Sequence, residues 1–582
     1  MSPVIVCKCR DIDGPAAGSP DGFSYFWDDS LDVNPNRATS QAIKSQDNPI
    51  IICIFVSCIW PSTRFSERMK EPMRYGHRSW VKPFKPQQRM SKLEEYFAPF
   101  RRNIIGIDQQ YESPYGKQKI IYADWIASGR LYGPIERQMV EHFGPFVANT
   151  HTEASETGTV MTNAYHHAHK LIKQHVNAGR EDVIITAGSG MTTVINKFQR
   201  MLGLRVCGEL AHQACLKEHE RPVVFLTHME HHSNHTSWFE TMADVVQLEP
   251  GPGLLIDTEM LRSELEKYKD RKLKIGSFTA CSNVTGIETP IHELARIMHE
   301  YGGVAVADYA ASAPYVDINM HPGDPMEKLD AVMFSPHKFL GGPGTSGVLV
   351  FDSSFYTSKV PDNPGGGTVD WTNAWGEYKY IDDIEAREDG GTPGFLQAIR
   401  TALCIDLKNQ MDTQKIRERE NEMLEMLFDG IRSIPDTHIM ADNVEERLGV
   451  VSFYFDHIHY NLVVKLLSDR FGIQVRGGCA CAGTYGHFLL NVDYELSRQI
   501  TEKINTGDLS DKPGWIRISV HPTTTNGEIR AIIGALRDIH THHKEWEKDY
   551  TYERKRNEYV NKRMPAQNID LVKSWFHLPQ VR

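Results

Sequence analysis

From about residue 91 onward, short apolar runs alternate with stretches whose apolar positions recur every three or four residues. The runs at 119–126, 182–186, 223–226, 275–280, 303–307, 331–334 and 347–351 read as buried strands, because they are short and bounded by polar or Gly/Pro positions. The spaced stretches at 161–178, 192–202 and 291–301 place one apolar face on a helix. Strands apolar on both faces and separated by helices are the signature of βαβ units. They predict an α/β fold with a mostly parallel sheet flanked by helices. After Pro393 the texture changes to a long charged helix over 395–427, strands at 449–455, 473–476 and 515–520, and helices at 462–468 and 526–540. The expected organisation is a large α/β domain over 91–394, a smaller C-terminal α+β domain over 395–545 and a charged tail over 546–582, helical at first. Residues 1–90 show neither period apart from a strand-like run at 50–60, and are expected to form a poorly ordered extension.

Composition narrows the function classes. With 40% hydrophobic and 24% charged residues, the 582-residue chain can bury a sizeable core, which excludes collagen-like, low-complexity and wholly disordered readings. A net charge of −11 leaves no basic excess to neutralise phosphates, so no nucleic-acid partner is expected. The 10 cysteines are scattered except for the Cys7/Cys9 and Cys479/Cys481 pairs, which fits a reducing compartment better than a disulfide scaffold. The apolar run at 50–60 is too short to span a bilayer and too far in for a signal peptide. The expectation is a cytoplasmic protein without a membrane partner.

Four features carry candidate chemistry. Lys338 follows a buried strand in Ser335-Pro336-His337-Lys338 and precedes a glycine-rich turn. A Schiff-base lysine needs such a place at a sheet end, where desolvation frees its amine, although an ordinary loop lysine has the same surroundings in sequence. Asp308 ends the run at 303–307, where a carboxylate can hold a pyridinium nitrogen protonated or simply cap a turn. Gly188-Ser189-Gly190-Met191-Thr192 opens a helix after a strand and offers backbone N–H groups and hydroxyls to a phosphate. The cluster His228, His231, His232 and His235 could supply zinc ligands, an imidazole stacked on a ring, or satisfied loop histidines.

In this order the motifs resemble the class V aminotransferase family of fold-type I pyridoxal-phosphate enzymes, and its cysteine desulfurase and selenocysteine lyase-like branch, over roughly residues 95–545. The resemblance implies pyridoxal 5′-phosphate bound covalently by Lys338, with Asp308 at the pyridine nitrogen and His231 stacked on the ring. Ser189, Gly190, Thr192, Ser335 and His337 would hold the phosphate. Asn283 in Ser-Asn-Val-Thr-Gly would lie beside the substrate, and Arg517 in Arg-Ile-Ser would clamp its carboxylate. Gly365-Gly366-Gly367-Thr368 is similar to the loop that reaches the phosphate of a second subunit, which implies a homodimer. Asp389-Gly390-Gly391-Thr392-Pro393 resembles the Glu-x-Gly-Thr-Pro segment, with aspartate for glutamate.

Arg476-Gly477-Gly478-Cys479-Ala480-Cys481-Ala482 resembles the desulfurase motif Arg-x-Gly-x-x-Cys-Ala, which assigns the nucleophile to Cys481 and a substrate-binding role to Arg476. The chain departs from the pattern at Ala311, where the family carries a glutamine, at Cys479, often a histidine, and in a long segment over 484–513. The implied activity is removal of sulfur from a small amino acid through a Cys481 persulfide, with release of alanine and transfer to a sulfur-acceptor protein. The alternatives are an aminotransferase, epimerase or lyase of the same family in which Cys481 is incidental, an inactive relative serving as a scaffold, and a zinc protein built on the histidines and Cys pairs.

Overall fold

The computed structural model describes residues 90–150, 152–206, 216–563 and 569–579. The expected N-terminal extension, with its Cys7/Cys9 pair and the run at 50–60, lies outside them. Seven strands form the main sheet: β1 (Asp182–Ala187), β2 (Val223–Leu226), β3 (Asp244–Gln247), β4 (Lys274–Thr279), β5 (Val304–Asp308), β6 (Ala331–Phe334) and β7 (Gly347–Asp352). Their spatial order is β1-β7-β6-β5-β4-β2-β3, and β7 alone runs against its neighbours. The expected mostly parallel α/β sheet is the one found.

Alternation along each strand feeds two separate cores, since successive side chains point to opposite faces. Val223, Phe225, Ala305, Ala307, Val332 and Phe334 pack on one side, and Val224, Leu226, Val306, Ala331 and Met333 on the other. Helix α1 (Glu156–His175) precedes β1, and α2 (Met191–Met201), α3 (His232–Phe239) and α4 (Ile291–Glu300) lie in the crossovers that cover these faces. The six strands sharing one direction end at the same edge, and the loops leaving them gather there.

A second, four-stranded antiparallel sheet is made by β8 (Thr437–Ile439), β9 (Val450–Phe455), β10 (Arg476–Gly478) and β11 (Trp515–Ser519), in the order β8-β9-β11-β10. Its core takes side chains from α6 (Thr413–Arg432), α7 (Tyr460–Phe471) and α8 (Asn526–Trp546). Register sets Arg476 opposite Arg517.

Three local expectations change. The charged helix expected over 395–427 is two helices, α5 (Phe395–Met411) and α6, broken at Asp412. Asp412 has a left-handed φ of 65°, and its carboxylate accepts from the N–H groups of Gln414 and Lys415, so one residue ends the first helix and caps the second. The run expected over 473–476 splits between two ladders: Ile473–Gln474 pairs in parallel with Ile121–Tyr122, whereas Arg476 begins β10. The tail does not simply fray after its helix. It forms a hairpin of β12 (Tyr550–Glu553) and β13 (Glu558–Asn561), fixed by the cross-strand pair Tyr552 and Tyr559 with ring centroids 4.8 Å apart. Among the described residues no helix is long and apolar enough to cross a membrane.

The break at Asp412 separates two contributions. Asp412→Ala loses the cap and keeps the strained φ, and is expected to lower stability by about 1–3 kcal/mol in denaturant unfolding. Asp412→Gly loses the cap and relieves the strain, so its loss should be the smaller of the two.

Candidate active site

Lys338 ends the short turn Pro336–Lys338 that leaves β6, and Asp308 is the last residue of β5, the adjacent parallel strand. Both line one cavity of about 340 Å³ at the carboxyl edge of the sheet. Burial pushes the lysine down to about 8, with the Asp308 charge pulling the other way. Burial pushes Asp308 up to about 6, opposed by the Ala310 N–H, which donates to Oδ1 at 2.8 Å, and by Lys338. The pair is an acid and a base whose proton affinities have moved towards each other, as residues with acid–base work to do require.

The turn into α2 forms one wall. Gly188 sits at φ 54°, and a Cβ there would stand 2.3 Å from Thr193 Oγ1, so only glycine fits. The Met191 N–H donates to Ser335 Oγ at 2.8 Å, which ties this turn to the Lys338 segment. Ser189, Gly190, Thr192, Ser335 and His337 all line the cavity. Burial, with Lys338 next, holds His337 down at about 4, so it is neutral near pH 7.

His231 caps α3 by accepting from the Ser233 N–H at 3.1 Å through Nδ1, and burial, then Lys338, pushes it down to about 3. A neutral imidazole with a fixed ring faces the cavity. The other three histidines diverge: His228 Nε2 meets the Leu254 carbonyl, His232 Nε2 accepts from the Gly483 N–H, and His235 meets Gln247. Among the described residues no group of three His, Cys, Asp or Glu side chains is placed to share a metal ion.

The small sheet closes the cavity with Arg476, Cys481 and Arg517. Arg517 is 2% exposed and donates from Nη2 to Asp124 at 2.7 Å and from Nη1 to the Asn283 carbonyl at 3.0 Å, while its Nε is buried without a partner. Asn283 donates from Nδ2 to the Ala480 carbonyl at 2.7 Å and leaves its Oδ1 buried and unpartnered. Two arginines opposite each other across β10 and β11 repel, so an anion between them is stabilised.

Cys481 lies on a loop with two successive left-handed residues, Ala480 at φ 49° and Cys481 at φ 59°. Such backbone costs about 1–3 kcal/mol per residue and needs an external clamp. The clamp is the Asn283 bond to Ala480, the His232 N–H donating to the Cys481 carbonyl at 2.8 Å, and the His232–Gly483 bond. Arg476 Nη2 is 3.6 Å from Cys481 Sγ.

Of the residues that the family resemblance assigns to catalysis, cofactor or substrate, Thr368 and the glycine loop 365–367 before it lie off this cavity. Thr368 is buried, and its hydroxyl donates to the Gly365 carbonyl at 2.6 Å. Sequence reasoning missed Asp124, gave His232 only as a candidate zinc, ring-stacking or loop histidine, and assigned no role to Glu230. Glu230 accepts from Thr227, Asn234 and the Thr279 N–H beneath the site, and burial lifts it to about 8. The visible signal for two of them was their place in the Glu-His-His run; Asp124 has none. Cys281, also missed, lines the cavity as a buried thiol pushed well up by desolvation.

The model of the class V aminotransferases matches residues 121–532. A probable cysteine desulfurase of Halalkalibacterium halodurans is 26% identical over 368 residues, which is 62% of this chain and 84% of that protein. One from Pyrococcus abyssi is 26% identical over 72% of this chain and 94% of its own length. Among solved structures, a cysteine desulfurase from Thermococcus onnurineus superposes with a TM-score of 0.61 at 22% identity, covering 78% of this chain and 99% of that one. A second, from Escherichia coli, gives 0.59 at 20% identity, over 76% of this chain and 98% of its own. The backbone thus has the fold of these enzymes, and with the family's pattern running through both sheets and every strand end that builds the cavity, the chain belongs to the class V aminotransferase family.

Proposed function

We propose that the protein is a pyridoxal-5′-phosphate-dependent cysteine desulfurase that releases alanine and retains the sulfur on Cys481. The observation that carries this reading is a clamped cysteine, with an arginine 3.6 Å from its sulfur, on the same cavity as a desolvated lysine and a buried aspartate. The donor set fits the cofactor. Gly190 leaves open the space a Cβ would fill 3.2 Å from Ser335 Oγ, and Ser189, Thr192, Ser335 and His337 surround it as neutral hydrogen-bonding groups suited to a phosphate. Asp308 suits a protonated pyridine nitrogen, and the neutral His231 ring suits the face of a flat heterocycle. When bound, this group supplies an electron sink for the substrate's α-carbon.

The chain's own residues do the rest. Lys338 binds the cofactor and, with its pKa near 8, takes and returns the α-proton at Nζ. Arg517 orients the substrate carboxylate through its free Nε, and Asn283 orients it through the second N–H of an amide nitrogen already anchored on the Ala480 carbonyl. Cys481 Sγ attacks the substrate sulfur. A sulfur–sulfur bond forms, the carbon–sulfur bond breaks, and the substrate carbon gains a proton to become alanine. Arg476 steadies the thiolate before attack.

A homodimer completes the proposal. Gly365 and Gly366 are exposed, and Trp371, Trp375 and Tyr378 beside them are 49%, 86% and 57% exposed, an apolar surface suited to a second copy. Thr368 would then serve the partner's phosphate. The sulfur leaves for an acceptor protein, and a reducing cytoplasm keeps both thiols of the Cys479/Cys481 pair ready.

Purified protein is expected to be yellow, and borohydride should fix the cofactor on the peptide containing Lys338; Lys338→Ala should be colourless. Because the free amine attacks, the rate of cofactor uptake by apoprotein should rise with pH through about 8 and level off above it. Cys481→Ser should keep the cofactor absorption and lower alanine formation from cysteine by at least about a hundredfold. A variant that keeps full activity towards an amino acid would favour the aminotransferase, epimerase or lyase reading instead. Sedimentation should give a dimer that Trp375→Asp weakens.

A further inference from the structure

Cys481 lines two cavities at once. The inner one holds Lys338 and Asp308, and the outer one, of about 1080 Å³, opens on the other side of the Cys481 loop. Arg476, Ala480 and Cys481 are common to both and form the partition. Cys479 lines the outer cavity and not the inner. Part of the outer wall is Glu553, Asn557 and Tyr559 from the C-terminal hairpin, beyond residue 532 where the family match ends.

We propose that Cys479 is a second sulfur carrier, which draws the sulfur from Cys481 into the outer cavity. The idea rests on the reading of Cys481 as the first carrier. Two Cα–Cα steps of about 3.8 Å bound the separation of the two residues, and the left-handed turn at Ala480, φ 49°, shortens it further. That range overlaps the span a disulfide bridges, and the extra sulfur of a persulfide lengthens the reach.

The step is a thiol exchange. The Cys479 thiolate attacks the outer sulfur of the Cys481 persulfide, a new sulfur–sulfur bond forms on Cys479, and the old bond breaks with its electron pair returning to Cys481 Sγ. No oxidant or reductant is consumed, and the proton lost by Cys479 balances the one Cys481 regains. Arg476, 3.6 Å from that sulfur, lies within reach of the leaving group, and the position of Cys479 on the outer cavity alone gives the transfer its outward direction. Cys481 is left free to act again while the first sulfur waits on Cys479.

The test counts alanine. Holoenzyme of the full chain is mixed with a few equivalents of cysteine, without acceptor or reductant, and quenched with iodoacetamide at short times. Wild type should release about two alanines per protomer, against about one for Cys479→Ser and none for Cys481→Ser. Mass spectrometry of the tryptic peptide after Arg476 should find extra sulfur on both cysteines of the wild type. Cys479→Ala, checked by its cofactor absorption, repeats the measurement if the serine variant misfolds. A wild-type burst of about one alanine, with sulfur on Cys481 alone, overturns the relay and leaves the desulfurase reading intact. A wild type that forms no alanine overturns both.

Discussion

Asn283 fastens the two sheets together where the chemistry is gathered. Its loop leaves the large sheet after β4, its backbone carbonyl receives Arg517 from β11 of the small sheet, and its side chain holds the Ala480 carbonyl next to Cys481. Two groups from separate parts of the chain, Arg517 and the Ala480 carbonyl, thus take their positions from one residue. The contact is buried, so the desolvation cost of leaving any of these groups unpaired gives the joint its strength. Without it the strained Ala480–Cys481 backbone would lose one of its clamps, and Arg517 would be held by Asp124 alone among the contacts described above.

The electrostatics follow from that joint. Arg476, which is exposed, and the buried Arg517 are brought into register, so negative charge beside them is favoured. Asp124, 2.7 Å from Arg517, supplies part of it. On the opposite wall the acids are less ionised and the bases less protonated than usual, because burial acts on both: Glu230 and Asp308 rise while Lys338 and His231 fall. One side of the site therefore favours anions and the other favours proton transfer.

Much of this was legible in the sequence, because short apolar runs identify β2, β5 and β6 directly and the residues just after them are the site. Lys338, Asp308, His231 and Gly190 could be found since each lies within a residue or a short turn of a strand end. What could not be read was set by contacts distant in sequence. Asp124 meets Arg517 across 393 residues, and nothing near Asp124 announces it. His232 looked like half of a histidine pair, yet its work is to accept from Gly483, 251 residues away. Asp412 was missed for a different reason: an apolar period on both sides of a single left-handed residue reads as one helix. The hairpin at the C-terminus was hidden by its short strands and charged turn, which carry too little alternation to stand out.

The hairpin's position in the chain has a consequence for assembly. Residues 550–561 are made after every strand of both sheets and every residue lining the inner cavity. Domains fold as they emerge, from the N-terminal side onward. The nascent protein therefore has every residue of the inner site before it has the part of the outer wall that the hairpin supplies. The hairpin's share of the outer wall is thus added to an inner site whose residues are all already in the chain.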